Sequence, residues 1–416
     1  MDKTAGEGLP QHHHTSPPAS GSSSWKRYAL GLVAGGLIVW DVLARYSHRH
    51  TYYDPVKEVL HLQPLTDGHN DFPEFIRYFY HNHIYQSNFS DQITLPGHVD
   101  FPRLAKGGIR GQFWSVYVAC HDSPPEPDYE HVHDTLQQID LVHRLASLYP
   151  QHLEIVADTA AFRDTFESSP TRIASFLGVE GLHQIGSSAS TLRLYHSLGV
   201  RYVTLTHMCH NEYADSATPS KPRHNGLSAK GREMVLEMNR LGMAVDISHV
   251  SAKTMRDALD TSKAPVIFSH SSVYALCPHE RNVPDDVLLR LAENGGVIMI
   301  TFLDEYTRCD DPSAATLSDV ADHIQYVGKL IGYEYVGLGS DFDGMATTIQ
   351  GLEDVSKYPD LIQELLDRGV SVKDVAGVIG GNILRVMREI ERVAREMGED
   401  GITPLEDDVP SPTQVL

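Results

Sequence analysis

The sequence predicts an α/β fold, a closed (β/α)8 barrel of the TIM type, on two observations. Short apolar segments with the composition of buried strands alternate with segments of helical periodicity. Ionisable side chains follow directly on several of the apolar segments. A closed barrel brings the carboxyl ends of its strands to one mouth, whereas the competing open, doubly wound sheet would spread them along a line. We therefore expect the barrel.

Eight segments are predicted as the barrel strands. They are Leu65–Asp71, Gly111–Ala119, Ile173–Glu180, Arg201–His207, Met243–His249, Pro265–His270, Gly296–Phe302 and Tyr335–Asp341. The segments between them have helical spacing, and one of them, Glu233–Leu241, ends before Gly242, a residue typical of a helix C-terminus. A last helix is predicted from one apolar face, formed by Ile383, Val386, Ile390 and Val393.

The composition is that of a large acidic protein. The chain has 416 residues, of which 41% are hydrophobic, enough to bury a sizeable core. Lys and Arg number 34 against 55 Asp and Glu, which gives a formal net charge of −21. Because nucleic-acid binding needs clustered basic residues, we expect no nucleic-acid partner.

The two ends of the chain are predicted to lie outside the barrel domain, which we place at residues 55–398. Residues 1–24 are rich in Gly, Pro, Ser and His and are predicted to be a disordered tail. Residues 25–46 are predicted to be a transmembrane signal anchor, although the apolar part is short for the ~20 residues of a span. A cleaved signal peptide is the alternative. Residues 399–416 form an acidic tail without a hydrophobic lipid-anchor signal.

The number of cysteines indicates in which cellular compartment the barrel domain folds. Only Cys120, Cys209, Cys277 and Cys309 occur, and none forms a Cys-x-x-Cys pair. An even number favours two disulfides in a lumenal or extracellular domain, and four unrelated buried thiols are the alternative. We therefore expect a single-pass membrane protein with the barrel on the lumenal or extracellular side. Asn88 begins the one glycosylation sequon, a pattern that also arises by chance.

Five residues at predicted strand ends are candidate metal ligands. His69 and Asp71 stand two apart and would face one side of a strand, although such a pair taken alone is more often a hydrogen-bonded pair in the core. A buried Glu180 needs a cation or a salt bridge, and its two oxygens can bridge two ions. His249 and His270 end consecutive strands. We expect His69, Asp71 and Glu180 to hold one zinc ion and Glu180, His249 and His270 a second, ~3.5–4 Å away, with a bridging hydroxide as nucleophile.

Three further residues complete the predicted site. Asp341 ends the last predicted strand and is free to move a proton from the attacking water to a leaving amine. His207 can donate a hydrogen bond to the oxyanion. Arg281 lies on the loop after the sixth predicted strand, where its guanidinium suits a substrate carboxylate, with a surface salt bridge as the alternative.

These residues resemble those of the membrane dipeptidase family, the renal dipeptidase-like zinc peptidases. The resemblance covers residues 57 to 397 and is most specific in seven stretches. These are Asp67–Asp71, Gly178–Gly181, Thr204–His207, Phe268–Ser272, Arg281–Asp286, Gly339–Gly344 and Gly351–Pro359.

The resemblance implies the barrel, two Zn²⁺ per chain and hydrolysis of dipeptides with a free C-terminal carboxylate by metal-bridged hydroxide attack. It assigns the same five residues to metal, Asp341 to proton transfer, and His207 and Arg281 to substrate. It also implies the disulfides Cys120–Cys209 and Cys277–Cys309.

The chain departs from the family pattern at its ends. Mammalian members carry a cleaved signal and a C-terminal lipid anchor, whereas this sequence predicts an N-terminal anchor. It also lacks an extra cysteine near the C-terminus for a covalent dimer, so a homodimer would be non-covalent.

Two rival functions remain at this stage. One is a metal-dependent amidohydrolase acting on a lactone or phosphotriester. Those barrels commonly use His-x-His and a carboxylated lysine, and Thr204–His207 offers no lysine. The other is a catalytically silent binding protein on the same barrel, against which the complete ligand set argues.

Overall fold

Nine parallel strands form the central sheet of the computed structural model, which describes residues 54–120 and 129–408. In chain order they are β1 Leu65–Asn70, β2 Ile109–Ser115, β3 Leu153–Ile155, β4 Ile173–Val179, β5 Val200–Thr204, β6 Ala244–Asp246, β7 Ile267–Ser271, β8 Val297–Ile300 and β9 Val336–Leu338. Strand β2 pairs with both β1 and β4, so all strands except β3 close into an eight-stranded barrel. The predicted (β/α)8 fold is confirmed.

Helices connect the strands. They are α1 Pro55–Leu62, α2 Phe72–Tyr80, α3 Phe101–Gly107, α4 Tyr129–Leu148, α5 Thr159–Ser168, α6 Ala189–Ser197, α7 Ala229–Leu241, α8 Ala252–Thr261, α9 Asp285–Asn294, α10 Asp304–Thr307, α11 Leu317–Leu330, α12 Tyr358–Asp367, α13 Val372–Ala376 and α14 Asn382–Glu399. Local signals set their ends. Helix α7 begins after Ser228, whose side chain accepts from the Gly231 N–H, and ends at Gly242 with φ 77°.

The lower half of the barrel, formed by the starts and middles of the strands, is filled by apolar side chains. They form one buried cluster with α14, which includes Phe113, Phe176, Ala244, Ile267, Val297 and Met299 from the strands. The predicted apolar face of α14 is buried, and its residues Ile383, Val386, Ile390 and Val393 belong to this cluster. The candidate metal ligands lie above this cluster, at or beyond the carboxyl ends of the strands.

The strands end earlier than the sequence predicts. Several predicted strands include a final ionisable residue, but Asp71, Glu180, His207 and His249 all follow the last paired residue. The apolar pattern continues past the last ladder hydrogen bonds because these loop residues are also buried. Strand β3 was not predicted; it is short and pairs only with the start of β4.

The expectation of a single-pass membrane protein with a lumenal or extracellular domain was wrong. Across the described ranges, none of the helices has the length and apolar character needed to cross a membrane. A span needs ~20 mostly apolar residues, and the 20-residue helix α4 carries charged and polar residues throughout. The predicted tail 1–24 and anchor 25–46 lie outside the described residues, as do residues 409–416 of the predicted tail 399–416.

Candidate metal centre

Five buried side chains converge at the mouth of the barrel around one oxygen of Glu180. The Oε1 atom of Glu180 lies 2.9 Å from His249 Nε2, 3.3 Å from His270 Nε2 and 3.6 Å from His69 Nε2. The Nε2 atom of His69 also lies 3.2 Å from Asp71 Oδ2. The structure thus brings together all five predicted metal ligands.

Four strands of the barrel and the segments that follow them supply these side chains. His69 is in β1 and His270 in β7, whereas Asp71 is the N-cap residue of α2 and Glu180 directly follows β4. His249 follows β6 with a left-handed φ of 65°, a backbone conformation that non-glycine residues seldom adopt and that is frequent at functional sites. Asp71 therefore reaches the cluster through the turn into α2, not through strand alternation as predicted.

The donor set fits two metal ions that share a carboxylate. His69, Asp71 and Glu180 form one group whose ligand atoms lie within 4.8 Å of one another, and Glu180, His249 and His270 form another. The Nε2 atoms of His249 and His270 face each other at 2.8 Å. His69 Nε2 and Asp71 Oδ1 are buried without a hydrogen-bond partner in the part of the chain that is described. Imidazole nitrogen and carboxylate oxygen are ordinary zinc ligands, and a cation would satisfy both orphaned atoms.

A second layer of polar groups orients the histidines. His69 Nδ1 lies 2.7 Å from the Tyr202 hydroxyl. His270 Nδ1 lies 2.9 Å from the Ser269 hydroxyl, which donates to Asp246 Oδ2 at 2.6 Å. Partners of this kind at Nδ1 leave Nε2 free to ligate and fix the ring orientation.

Burial and crowding shift the titration of these groups. Desolvation raises the pKa of Glu180 well above its usual range. Burial, followed by the positive charge of Arg281, lowers the pKa of His249 well below its usual value. Burial also opposes the charged form of His69, but the nearby carboxylates of Asp71 and Glu180 outweigh it and raise its pKa to about 10. Without a metal the centre would therefore hold protons, which a bound cation must displace.

Asp341 and His207 also lie at the centre. Asp341 Oδ1 is 3.9 Å from His69 Nε2, and Asp341 groups with His69 and His270 as a third possible ligand set. Desolvation is the main cause that raises the pKa of Asp341 to about 7. His207 Nε2 is 4.0 Å from Glu180 Oε1, and burial lowers its pKa well below the usual value, so its imidazole is neutral.

Arg281 is buried, with 2% of its surface exposed, so the surface salt bridge considered from the sequence is not formed. Its guanidinium makes long contacts of 3.4 Å to the Ser271 hydroxyl and 3.5 Å to the His270 carbonyl. It lies 5.3 Å from the centre of the Tyr306 ring. No carboxylate of the described residues forms an ion pair with it.

Two disulfides tie loops at the mouth. Cys120 pairs with Cys209, at a Cα–Cα distance of 6.2 Å, and Cys277 pairs with Cys309, at 5.2 Å. The first joins the loop after β2 to the loop after β5, and so holds the segments of Tyr117 and His207 together. Both predicted pairs are confirmed. Asn88 is exposed, and its glycosylation stays a prediction.

The chain is similar to proteins of a known family. The profile of the membrane dipeptidase family, peptidase family M19, matches residues 53–401. The chain belongs to this family.

Its relatives include named dipeptidases. Dipeptidase aclJ of Aspergillus oryzae is 61% identical over 85% of this chain and 84% of its own length. Dipeptidase tcpJ of Claviceps purpurea is 50% identical over 83% and 81%. A metallopeptidase of Rhodobacter sphaeroides, solved with a phosphinate mimic of L-Ala-D-Ala, has a TM-score of 0.70 at 25% identity, over 79% of this chain and 99% of that one. These findings support metal-dependent dipeptide hydrolysis.

Sequence reasoning missed several residues of this M19 site. Asp246 accepts from the N–H groups of Ser248 and Ser269, and Asp67 accepts from the N–H and hydroxyl of Ser340. Each acid precedes a ligand histidine by two or three residues, a signal that the sequence did contain. Tyr117 and Tyr202 gave no such signal, because their partners are distant in the chain. The ring of Tyr117 contacts that of His207, and the hydroxyl of Tyr202 contacts His69.

Proposed function

We propose that this M19 family member is a binuclear zinc dipeptidase that hydrolyses dipeptides with a free C-terminal carboxylate. The observation that carries the proposal is the position of Glu180, which belongs to two buried ligand groups at once. His69 and Asp71 complete one site, and His249 and His270 complete the other. When bound, the two zinc ions would activate a water and polarise the scissile carbonyl.

The remaining side chains have roles around that centre. We assign to His207 a hydrogen bond to the oxygen that becomes negative, since its ring is neutral and lies 4.4 Å from the His249 ring, centre to centre. We assign to Asp341 the transfer of a proton to the leaving amine. Its raised pKa, about 7, suits an acid–base group near neutral pH.

Arg281 is proposed to read the substrate's C-terminal carboxylate. A buried guanidinium without an ion pair among the described residues is costly, and a carboxylate from the substrate would offset that cost. Its fork can bind both oxygens of a carboxylate. Because this carboxylate stands one residue beyond the attacked carbonyl, a fixed Arg281 would limit substrates to dipeptides.

A panel of free dipeptides, C-terminally amidated dipeptides and tripeptides tests the proposal, with and without a chelator. Free dipeptides should be cleaved well, the other two classes poorly, and the chelator should abolish all activity. Equal cleavage of free and C-terminally amidated dipeptides would mean that Arg281 does not recognise the substrate carboxylate. Activity that survives complete metal removal would contradict a metallopeptidase. A non-covalent homodimer stays a prediction.

A further inference from the structure

A half-buried acid beside the metal centre, Glu74, has no role in the site described above. It lies in the first turn of α2, three residues after the candidate ligand Asp71. Residues three apart on a helix are neighbours on one face, with ~5–6 Å between their Cβ atoms. Glu74 therefore stands close enough to the centre for one substrate residue to contact both.

The local roles that such an acid usually fills are taken by other groups. A glutamate at the third helical position often accepts from the backbone N–H of the N-cap residue, but the Asp71 N–H donates to the Phe342 carbonyl at 2.9 Å. Arg77, one turn further along, pairs with Asp134 at 2.7 Å instead. Within residues 54–120 and 129–408, the Glu74 carboxylate makes no hydrogen bond or ion pair.

Burial and the negative charges of Asp71 and Asp341 raise the pKa of Glu74 to about 9. The dipole at the start of α2 favours a negative charge there, yet it does not offset these effects. A cation placed beside Glu74 would stabilise the ionised carboxylate.

Glu74 lines a cavity of about 230 Å³, and its carboxylate interacts electrostatically with Asp71 and Asp341 of the metal centre. Tyr117 forms another wall, and its ring lies 4.6 Å from the ring of His207, centre to centre. Tyr78, Glu130 and the ion pair of Arg77 with Asp134 also line the cavity, so the positive charge of Arg77 is already matched by Asp134. Carboxylates and tyrosine rings together are the surroundings that an ammonium group prefers.

We infer that this cavity is the subsite for the N-terminal residue of the dipeptide, and that Glu74 binds a primary ammonium group of that residue. The inference rests on the proposed dipeptidase function. Two ammonium groups have this chemistry. The α-ammonium lies only two bonds from the scissile carbonyl carbon, ~2.5 Å away, while a lysine-type side chain would extend along the cavity.

Two matched substrate pairs test the inference and separate these sources. Alanyl-alanine is compared with N-propionyl-alanine, which lacks only the α-ammonium. Lysyl-alanine is compared with norleucyl-alanine, which lacks only the side-chain ammonium. In the wild-type protein, kcat/KM should favour the ammonium-bearing member of at least one pair by roughly 10- to 100-fold, as for hydrogen bonds to charged groups. The pair affected identifies the source.

The same ratios are then measured in Glu74→Gln, which keeps the shape and removes the charge. The preference should fall to about two-fold, whereas Glu130→Gln, the same change at an exposed residue of the same cavity, should keep it. Because each ratio is taken within one variant, a general loss of activity cancels. Should Glu74→Gln be inactive, dissociation constants of phosphinate dipeptide mimics with and without the ammonium give the same comparison.

The inference would be overturned if the wild-type protein showed no preference in either substrate pair, or if Glu74→Gln kept the wild-type preference. Neither result would contradict the proposed dipeptidase function. Failure of the wild-type protein to cleave any of the four substrates would instead reject the proposed function, and the subsite with it.

Discussion

The two halves of the barrel interior are built from the same strands but obey opposite rules. In the lower half, side chains such as Phe113 and Phe176 fill the space, their rings 5.1 Å apart. In the upper half, imidazole nitrogens and carboxylate oxygens converge, and His69 Nε2 and Asp71 Oδ1 have no hydrogen-bond partner among the described residues. Tyr202 connects the halves, since its ring packs in the apolar cluster and its hydroxyl contacts His69. The lower half should therefore contribute most of the free energy of unfolding, and the upper half should carry the catalytic groups.

The largest expected effect is on activity, from removing an upper-half ligand. His270→Ala should lower kcat/KM by more than the ~10- to 100-fold typical of losing a partner of a ligand histidine, because it takes away one ligand of a catalytic ion. His323→Ala is the matched control, a buried histidine that bonds the Val273 N–H and the Thr307 carbonyl outside the centre. The control should lose stability but keep its zinc. If both variants had the same zinc content and the same activity, the assignment of catalysis to the upper half alone would be wrong.

The next effect is on stability, from the lower half. Phe176→Ala should reduce the free energy of unfolding by about 3–5 kcal/mol, since it leaves a cavity between Phe113 and Phe162. Zinc content of the folded protein should not change. Urea unfolding and elemental analysis measure the two quantities, and loss of zinc from the folded variant would show that the halves are coupled.

Arg281 should affect substrate selection without affecting the fold around the ions. Arg281→Ala should lose about 2–5 kcal/mol of transition-state binding on free dipeptides, by analogy with buried charge pairs. Arg281→Lys should restore only part, because a point charge does not reproduce the fork. Steady-state kinetics on matched acid and amide substrates check this. A variant that still prefers acids as strongly as the wild type would exclude Arg281 as the carboxylate reader.

The smallest effect is expected where the halves meet. Tyr202→Phe keeps the ring in the apolar cluster and removes the hydroxyl beside His69 Nδ1. Metal affinity should fall roughly 10- to 100-fold, as for other partners of ligand histidines, with little change in unfolding free energy. A competition titration with a zinc chelator measures the metal affinity. An unchanged affinity would mean that Tyr202 contributes only to the packing of the lower half.

The difference between the halves also explains what the sequence could predict. The apolar strand starts and the face of α14 follow simple periodicities, so the barrel was predictable. The ligands were predictable because histidine and acid at a buried strand end are unusual. Asp71 was predicted for the wrong geometric reason, since it lies in the turn into α2 and not in a strand.

The missed features depend on three-dimensional contacts. Tyr202 and Glu74 gained a possible role only when closure of the barrel placed them beside the centre. The pairing of Arg77 with Asp134, which leaves Glu74 without a partner among the described residues, joins two helices across the fold. Local patterns do not contain such pairings.

Zinc stoichiometry tests the central claim, that the upper half of the barrel is a two-metal centre, most directly. Elemental analysis should find two zinc ions per wild-type chain, and His249→Ala combined with His270→Ala should leave at most one and abolish dipeptide hydrolysis. A fully active wild-type protein with a single essential ion, unchanged in metal content by the double substitution, would contradict the account.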